Sequence, residues 1–212
     1  MTNGPVIERA LAESFRAVMK KIMLPLLLAV SLLLTACGAQ SGGEEAPWQT
    51  AYRQTDPVPA GKPQPVEPED AQVDENTSYT CTVSISCAAL LDNMDKLAQN
   101  KRPLVPADGV LLLETQVTFS AGESAFDVLQ RVCRNNKLHM ESSFTPLYNS
   151  AYIEGIGNLY EFDAGSLSGW MYAVNDWFPN YGCSRYQLQN GDVVRWVYTC
   201  DLGKDVGGDM TN

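Results

Sequence analysis

Residues 169–182 read GWMYAVNDWFPNYG, and this aromatic stretch decides how the rest of the chain is interpreted. Five of its fourteen residues are aromatic, in a chain that is 9% aromatic overall. The first half alternates, so Trp170 and Tyr172 would share one face of a strand, and one face of that strand must point into a core. The second half, residues 177–182, does not alternate, and Pro179 within it predicts a loop.

Two interpretations of this loop remain open. Aromatic side chains that stand side by side in solvent usually mark an interaction surface. Alternatively, the loop folds back and covers the core as a lid. A core can account for one aromatic face of the strand, but it accounts less well for a loop with Trp177, Phe178 and Tyr181.

The amino terminus has the charged, apolar and small-residue order of an export signal. Two lysines precede an apolar run over residues 22–34, and the run ends in LTAC followed by Gly38. A membrane-spanning helix needs about 20 apolar residues, and this run is shorter. The order resembles a bacterial lipobox, which implies a signal peptide over residues 1–36 and lipidation of Cys37. An uncleaved anchor helix is the alternative.

This signal predicts where the protein sits. Two or more acyl chains would anchor it stably, since each buried CH₂ contributes about 0.8 kcal/mol. We therefore expect the mature chain on the extracytoplasmic face of the cell membrane. Glu8 and Glu13 are unusual ahead of an export signal, so we expect translation to start at Met19, with a long amino-terminal region over residues 1–18 as the alternative.

The composition changes after the lipobox. Residues 38–76 hold six of the twelve prolines and eight acidic side chains against two basic ones. The apolar surface of this segment is too small to offset the conformational entropy that the segment would lose on becoming ordered. Residues 37–78 are therefore predicted to be a disordered or polyproline II linker. The linker would lift one globular domain, residues 79–206, off the bilayer, and a short tail follows at 207–212.

The charge argues against one class of function. The chain has a formal net charge of −10, and removal of residues 1–36, with four basic and two acidic side chains, leaves −12. Such an excess of acid opposes binding to nucleic acid or to anionic lipid through bulk charge. It is typical of a solvated extracellular surface.

The globular part combines extended and helical patterns. Residues 79–86 and 110–119 are predicted strands, since the first alternates and is rich in β-branched side chains and the second is an extended run. Apolar residues at helical spacing predict one helix over 87–100 and another that opens with a capping-box pattern at 120–123. Short strands and turns follow, with the last strand over 192–199. Two helices against mostly antiparallel strands define an α+β domain.

Catalytic chemistry has little support in the sequence. His139 is the single histidine, and it alternates with apolar neighbours on a predicted strand. No Gly-rich phosphate loop follows a strand, and no serine or cysteine has the spacing of a nucleophile. We therefore expect no enzyme activity and no resident cofactor.

The cysteines favour disulfides, as in most exported domains. Besides Cys37, five cysteines remain, an odd number, so two disulfides and one free thiol would fit. Cys133 lies on the apolar face of a predicted helix and is the expected free thiol. If the first and last strands are neighbours, Cys87 and Cys200 end them and could form a disulfide. The alternative is a thiolate metal site assembled from distant positions.

The carboxy-terminal sequence resembles a known family. The segments that carry the resemblance are GWMYAVNDWFPNYG and NGDVVRWVYT, with FDVLQRVCRNN and YTCTVSIS ahead of them. They are similar to the bacterial DUF4430 domain and to the carboxy-terminal β-domain of transcobalamin and intrinsic factor, over roughly residues 79–206. This resemblance implies a β-grasp-like fold and a ligand-binding role.

The resemblance also implies a ligand and a contact surface. The ligand would be cobalamin or a related corrinoid, which is broad and apolar with amide fringes. Transcobalamin holds its ligand between this domain and an α-helical domain that the sequence does not show, so this half should bind weakly unless a partner, such as an uptake system or a surface protein, supplies the other half. Flat aromatic side chains with amide groups beside them would suit such a ligand. The resemblance places the contact surface on seven residues, which are Trp170, Tyr172, Asn175, Trp177, Phe178, Asn180 and Tyr181.

Three functions follow as hypotheses. The leading one is a lipid-anchored domain that captures a cobalamin-like small molecule for an uptake system. The second is an adhesion or protein-interaction module whose partner is another surface protein. The third is a metal-binding domain that uses Cys87, Cys133 and Cys200.

Overall fold

The computed structural model describes residues 57–208. The export signal, the lipidation site Cys37 and the first part of the linker lie outside the described residues, so they stay predictions. Within residues 57–208, no helix is both long enough and apolar enough to cross a membrane.

The strands of the described chain form two sheets. They are β1 (Asp74–Ser86), β2 (Val110–Ala121), β3 (Met140–Thr145), β4 (Ser150–Ile156), β5 (Leu159–Tyr160), β6 (Gly169–Val174) and β7 (Val193–Thr199). The larger sheet has the order β2-β1-β7-β6, and the smaller one has the order β3-β4-β5. All pairs are antiparallel except β1 with β7, which run parallel at the centre of the larger sheet.

The helix α1 (Ala125–Asn135) begins at a capping box one turn later than predicted. The Ser124 side chain accepts a hydrogen bond from the Asp127 amide, and the Asp127 carboxylate accepts one from the Ser124 amide. The Glu123 carboxylate does accept from the Ser120 amide, as the predicted box requires, but Ser120 lies at the end of β2 and no helix starts there. The buried face of α1 consists of Ala125, Val128, Leu129, Val132 and Cys133.

The first predicted helix, over residues 87–100, is much shorter in the structure. Only Ala88–Asn93 is helical, as a 3-10 segment without a side-chain cap, and turns continue the chain. Leu90 is fully buried while Leu91 is 40% exposed, so one short turn suffices to close this side of the core. The α+β class, with two helical segments on mostly antiparallel strands, is confirmed.

The core lies between α1 and the inner face of the larger sheet. Alternate residues of the central strands β1 and β7 and of the edge strand β6 point to that face, as the two-residue period of a strand requires. All of them are less than 10% exposed. They are Cys81, Val83 and Ile85 on β1, Trp170, Tyr172 and Val174 on β6, and Val194, Trp196 and Tyr198 on β7.

The predicted disulfide between Cys87 and Cys200 is not formed, although β1 and β7 are neighbours. Their register ends with Ser86 opposite Val197, and both cysteines lie beyond the paired residues, so the register does not set the two thiols opposite each other. A disulfide needs closely opposed Cβ atoms. All five cysteines in the described chain are buried free thiols, as was expected of Cys133.

The metal hypothesis also fails within the described residues. No group of three histidine, cysteine or carboxylate side chains in residues 57–208 could hold a metal ion. Cys87, Cys133 and Cys200 therefore do not assemble into a metal site, and all three thiols are buried in the core.

The last part of the linker lies against the domain. Residues 57–73, here called the linker strap, have no regular secondary structure, and β1 begins directly after them at Asp74. The sequence placed the start of the domain at Tyr79 and treated the prolines before it as a free tether. Five of those prolines belong to the strap, whose contacts are described below.

Candidate ligand-binding site

The aromatic loop folds back on the core because of a tight turn. Asn175 and Asp176 have φ angles of 50° and 62°, the left-handed backbone that a two-residue hairpin turn requires. Val174 and Trp177 pair across this turn. Two hydrogen bonds hold the Asn175 side chain. The Asn175 amide group donates to the Asp192 carboxylate at 2.8 Å, and the Asn175 side-chain oxygen accepts from the Val193 amide of β7 at 2.9 Å.

Five rings pack together in the aromatic cluster, defined as Tyr172, Trp177, Tyr181, Tyr186 and Trp196. Tyr172 stacks on Trp196 with centroids 5.4 Å apart, and Tyr181 stacks on Tyr186 at 6.0 Å. Trp177 meets Tyr181 and Tyr186 at 5.9 and 6.3 Å. Burial raises the pKa of Tyr172 well above its usual value. The cluster extends the core, so of the two interpretations of the loop the structure favours the one in which it folds back over the core as a lid.

The linker strap covers the outer rings of the cluster. Lys62 Nζ lies 5.4 Å from the centroid of the Trp177 ring, within the range of a cation–π interaction. The Tyr181 hydroxyl donates to the Pro63 carbonyl at 2.8 Å, and the Asn180 amide donates to the carbonyl of the first strap residue at 3.4 Å. Three of the predicted binding residues therefore contact the chain's own linker.

A buried ion pair holds the other end of the strap. The Arg185 side chain is 4% exposed, and it binds the Glu67 carboxylate at 2.6 Å. The Val66 amide donates to the Arg185 carbonyl at 2.9 Å, and the Asn149 amide group donates to Glu67 and Glu69 at 2.6 and 2.9 Å. A buried guanidinium needs such a partner, because burial of an unpaired charge costs several kcal/mol.

Trp170 and Phe178 lie apart from these contacts. The Trp170 indole donates to the Leu159 carbonyl at 2.8 Å and packs edge-on against Tyr198 at 5.3 Å. Phe178 is half-buried, and its ring packs closely on Gly208. A Cβ added to Gly208 would lie only 2.9 Å from this ring. The seven predicted ligand-binding residues therefore do not form one open surface.

An accessible concave site lies beside Trp170 and is here called the Trp170 groove. Its volume is about 380 Å³, and its walls are almost wholly apolar. Four of its side chains are between 43% and 61% exposed, which is unusual for large apolar residues gathered in one place. These four are Tyr152, Phe162, Leu167 and Leu202.

Backbone and hydroxyl contacts fix the walls of the groove. The Ser168 hydroxyl accepts from the Ala164 amide and from the Tyr198 hydroxyl, both at 3.1 Å. The Leu202 amide donates to the Leu167 carbonyl at 2.9 Å and so joins the two loops that form the walls. The groove is therefore a preformed feature of the fold.

The rim carries one backbone outlier and one carboxylate. Phe162 has a φ of 66°, a left-handed conformation that bulky residues seldom adopt. Such outliers persist where the surroundings hold them, and they occur often at binding sites. The Tyr152 hydroxyl donates to the Glu161 carboxylate at 2.5 Å, and burial together with this carboxylate raises the pKa of Tyr152.

Sequence reasoning included Trp170 but missed the four exposed groove residues. They are spread from position 152 to position 202, and no two of them are close neighbours in the sequence. No local pattern marks them, since only the tertiary fold brings them together.

Fold and site together define an α+β domain with an apolar surface groove. Residues 122–200 match the family model described as "Domain of unknown function (DUF4430)". The DUF4430 part of the resemblance is thus confirmed over residues 122–200. A search of curated protein sequences gives no match.

Two solved structures have similar folds in part. One is haptocorrin in complex with Cbi, with a TM-score of 0.42 and 14% identity over 62% of this chain and 27% of the haptocorrin chain. The other is a Ruminococcus gnavus protein proposed to bind metal, with a TM-score of 0.34 and 13% identity over 57% of this chain and 96% of that chain. At these TM-scores, neither likeness assigns a ligand to this chain.

Proposed function

We propose that this protein is a lipid-anchored, non-catalytic binding protein whose ligand docks in the Trp170 groove. The observation that carries the proposal is the groove itself, with its apolar walls and four half-exposed apolar side chains. A ligand that covered them would gain about 25 cal/mol per Å² of apolar surface removed from water. The lipobox at Cys37 supports a position on the extracytoplasmic face of the membrane.

The proposed ligand is cobalamin or a related corrinoid, and the family resemblance supports this choice. Small-molecule sites usually have volumes of about 300–1,000 Å³, so the groove lies near the lower limit. It would hold one edge of so broad a ligand, between flat side chains such as Tyr152 and Phe162. A partner would supply the opposite wall, and a membrane uptake system is the partner that we propose.

Titration of the mature chain with cyanocobalamin, followed by calorimetry and by absorbance, tests this function. The double substitution Phe162→Ala and Leu202→Ala should weaken binding at least about tenfold, or 1.4 kcal/mol, because both side chains line the groove. Leu113→Ala is the matched control, since Leu113 is 73% exposed but lies outside the groove. Absence of binding, both alone and in membranes that contain the uptake system, would remove the corrinoid proposal.

A protein-interaction module is the second candidate, because another exposed apolar patch lies at the tip of the β3–β4 hairpin. Phe144, Leu147 and Tyr148 are 58%, 44% and 56% exposed there. Adjacent exposed apolar side chains of this kind mark contact sites between proteins. Capture of a surface protein that Phe144→Ala with Tyr148→Ala abolishes, without any signal in the cyanocobalamin titration, would favour this candidate over the first.

A further inference from the structure

The linker strap lies on the aromatic cluster in the way that a bound peptide would. Its residues 57–70 read PVPAGKPQPVEPED, with five prolines and one lysine. The strap turns at residues 59–62, where the Lys62 amide donates to the Pro59 carbonyl at 3.1 Å, and the carbonyls of Pro57 and Pro63 on either side of this turn face the domain as acceptors. Proline-rich segments lose little entropy on binding because proline fixes φ. Aromatic-lined grooves are their usual receptors.

The contacts at the cluster have this chemistry. The Tyr181 hydroxyl donates to the Pro63 carbonyl at 2.8 Å, and the Asn180 amide donates to the first strap carbonyl at 3.4 Å. The Lys62 ammonium group lies over the Trp177 ring at 5.4 Å. Two donors and one ring face therefore recognise two carbonyls and one cation of the strap.

We propose that Trp177, Asn180 and Tyr181 form a docking site for proline-rich segments that carry a lysine. Residues 57–70 are the resident ligand within one chain, and the same segment of a second copy is the ligand in trans. The site and its ligand lie 118 residues apart in the sequence, so they meet through tertiary contacts alone. The site is separate from the Trp170 groove and does not depend on the proposed function.

The strap of the same chain competes with any free peptide for this docking site. A segment on a short flexible connection has an effective concentration on the order of millimolar. A free peptide then binds only the fraction of chains whose strap has lifted, so its apparent affinity is reduced by that fraction. Weakening the strap without changing the site should therefore expose the site to a peptide.

The test combines the mature chain with a labelled synthetic peptide of residues 57–70. Lys62→Ala with Val66→Pro weakens the strap, because it removes the ring contact and the amide that donates to the Arg185 carbonyl. Glu67 is kept so that the buried guanidinium stays paired. Fluorescence polarisation should show the peptide binding this variant at least about tenfold more tightly than the unchanged chain.

Three controls separate docking from unspecific adhesion. Trp177→Ala, added to the strap-weakened chain, should lower the peptide affinity at least about tenfold, and a peptide with Lys62→Glu should lose a similar amount. Gln64→Ala in the chain changes an exposed strap position, and this variant should bind the peptide no more tightly than the unchanged chain does. Equal binding with and without the strap substitutions, or binding that survives Trp177→Ala, overturns the proposal.

A second measurement covers the case in which the strap-weakened chain does not fold, as judged by circular dichroism. In the unchanged chain, saturating peptide should displace the strap and accelerate hydrogen exchange at the Val66 amide. That amide is protected by its bond to the Arg185 carbonyl at 2.9 Å. Unchanged exchange at saturating peptide also overturns the proposal.

Discussion

Arg185 connects the linker strap to the domain. Its guanidinium is buried, and the Glu67 carboxylate of the strap is 2.6 Å away. A second bond, which the guanidinium donates to the Tyr148 carbonyl at 3.5 Å, is longer and has a neutral acceptor. The Glu67 carboxylate is thus the main partner of the buried guanidinium.

Removal of that partner should destabilise the domain. Glu67→Ala leaves the Arg185 guanidinium buried without a carboxylate, and breaking such a pair costs about 3 kcal/mol or more. Urea unfolding of the purified mature chain measures this loss. Asp70→Ala, at an exposed acidic position three residues on, is the control and should change stability by less than about 0.5 kcal/mol. Equal losses for the two variants would show that the ion pair does not hold the strap.

At the scale of elements, the turn between β6 and the aromatic loop is decisive. Asn175 and Asp176 reverse the chain, and the following Trp177 pairs with Val174 instead of continuing outward. The residue type matters twice at Asn175, because asparagine tolerates left-handed backbone and its side chain also bonds to the Asp192 carboxylate.

Substitutions at Asn175 should separate these two roles. Asn175→Gly loses the side-chain bonds but keeps an easy left-handed backbone, whereas Asn175→Ala loses both. The alanine variant should therefore be less stable than the glycine variant by about 1 kcal/mol or more. Thermal or urea unfolding of both variants tests this expectation. A glycine variant no more stable than the alanine variant would argue against the left-handed turn.

Sequence pattern predicted some elements well and others poorly. The extended runs at 79–86 and 110–119 lie within β1 and β2, because β-branched or apolar side chains favour a half-buried strand. The helical spacing over 87–100 was misleading, since apolar residues at that spacing also fit a 3-10 turn followed by loops. Neither cap residues nor a long apolar stripe supported that helix.

At the scale of the whole molecule, buried thiols and tyrosine hydroxyls make the free energy of unfolding depend on pH in the alkaline range. Burial raises the pKa of the Cys133 thiol from 9.0 to about 12 and that of Cys81 to about 11. Burial also raises the pKa of Tyr198 from 10.0 to about 12. These groups stay neutral in the folded state at pH values where the unfolded chain would ionise them.

The sign of the effect follows from the raised values. Stability is fully present below pH 9, where these groups are neutral in both states, and it falls as pH rises from about 9 toward 12. Urea midpoints measured with reductant between pH 7 and 11 should stay level up to about pH 9 and then decrease. The thiols should also resist alkylation at pH 8 until the chain unfolds. Rapid alkylation of all five thiols in the folded chain would contradict the burial described here.

The sequence by itself determined the α+β class, the strands around the aromatic stretch and the DUF4430 resemblance. These depend on local periodicity and local motifs, which a linear reading can detect. The tertiary structure alone decided what the rings contact, because Lys62 and Pro63 lie more than a hundred positions before Trp177 and Tyr181. It also decided where a ligand could dock, since the groove gathers apolar residues from strands and loops that lie far apart in the sequence. Contacts between distant positions leave no local pattern, so composition predicted a free linker where the folded chain has a strap.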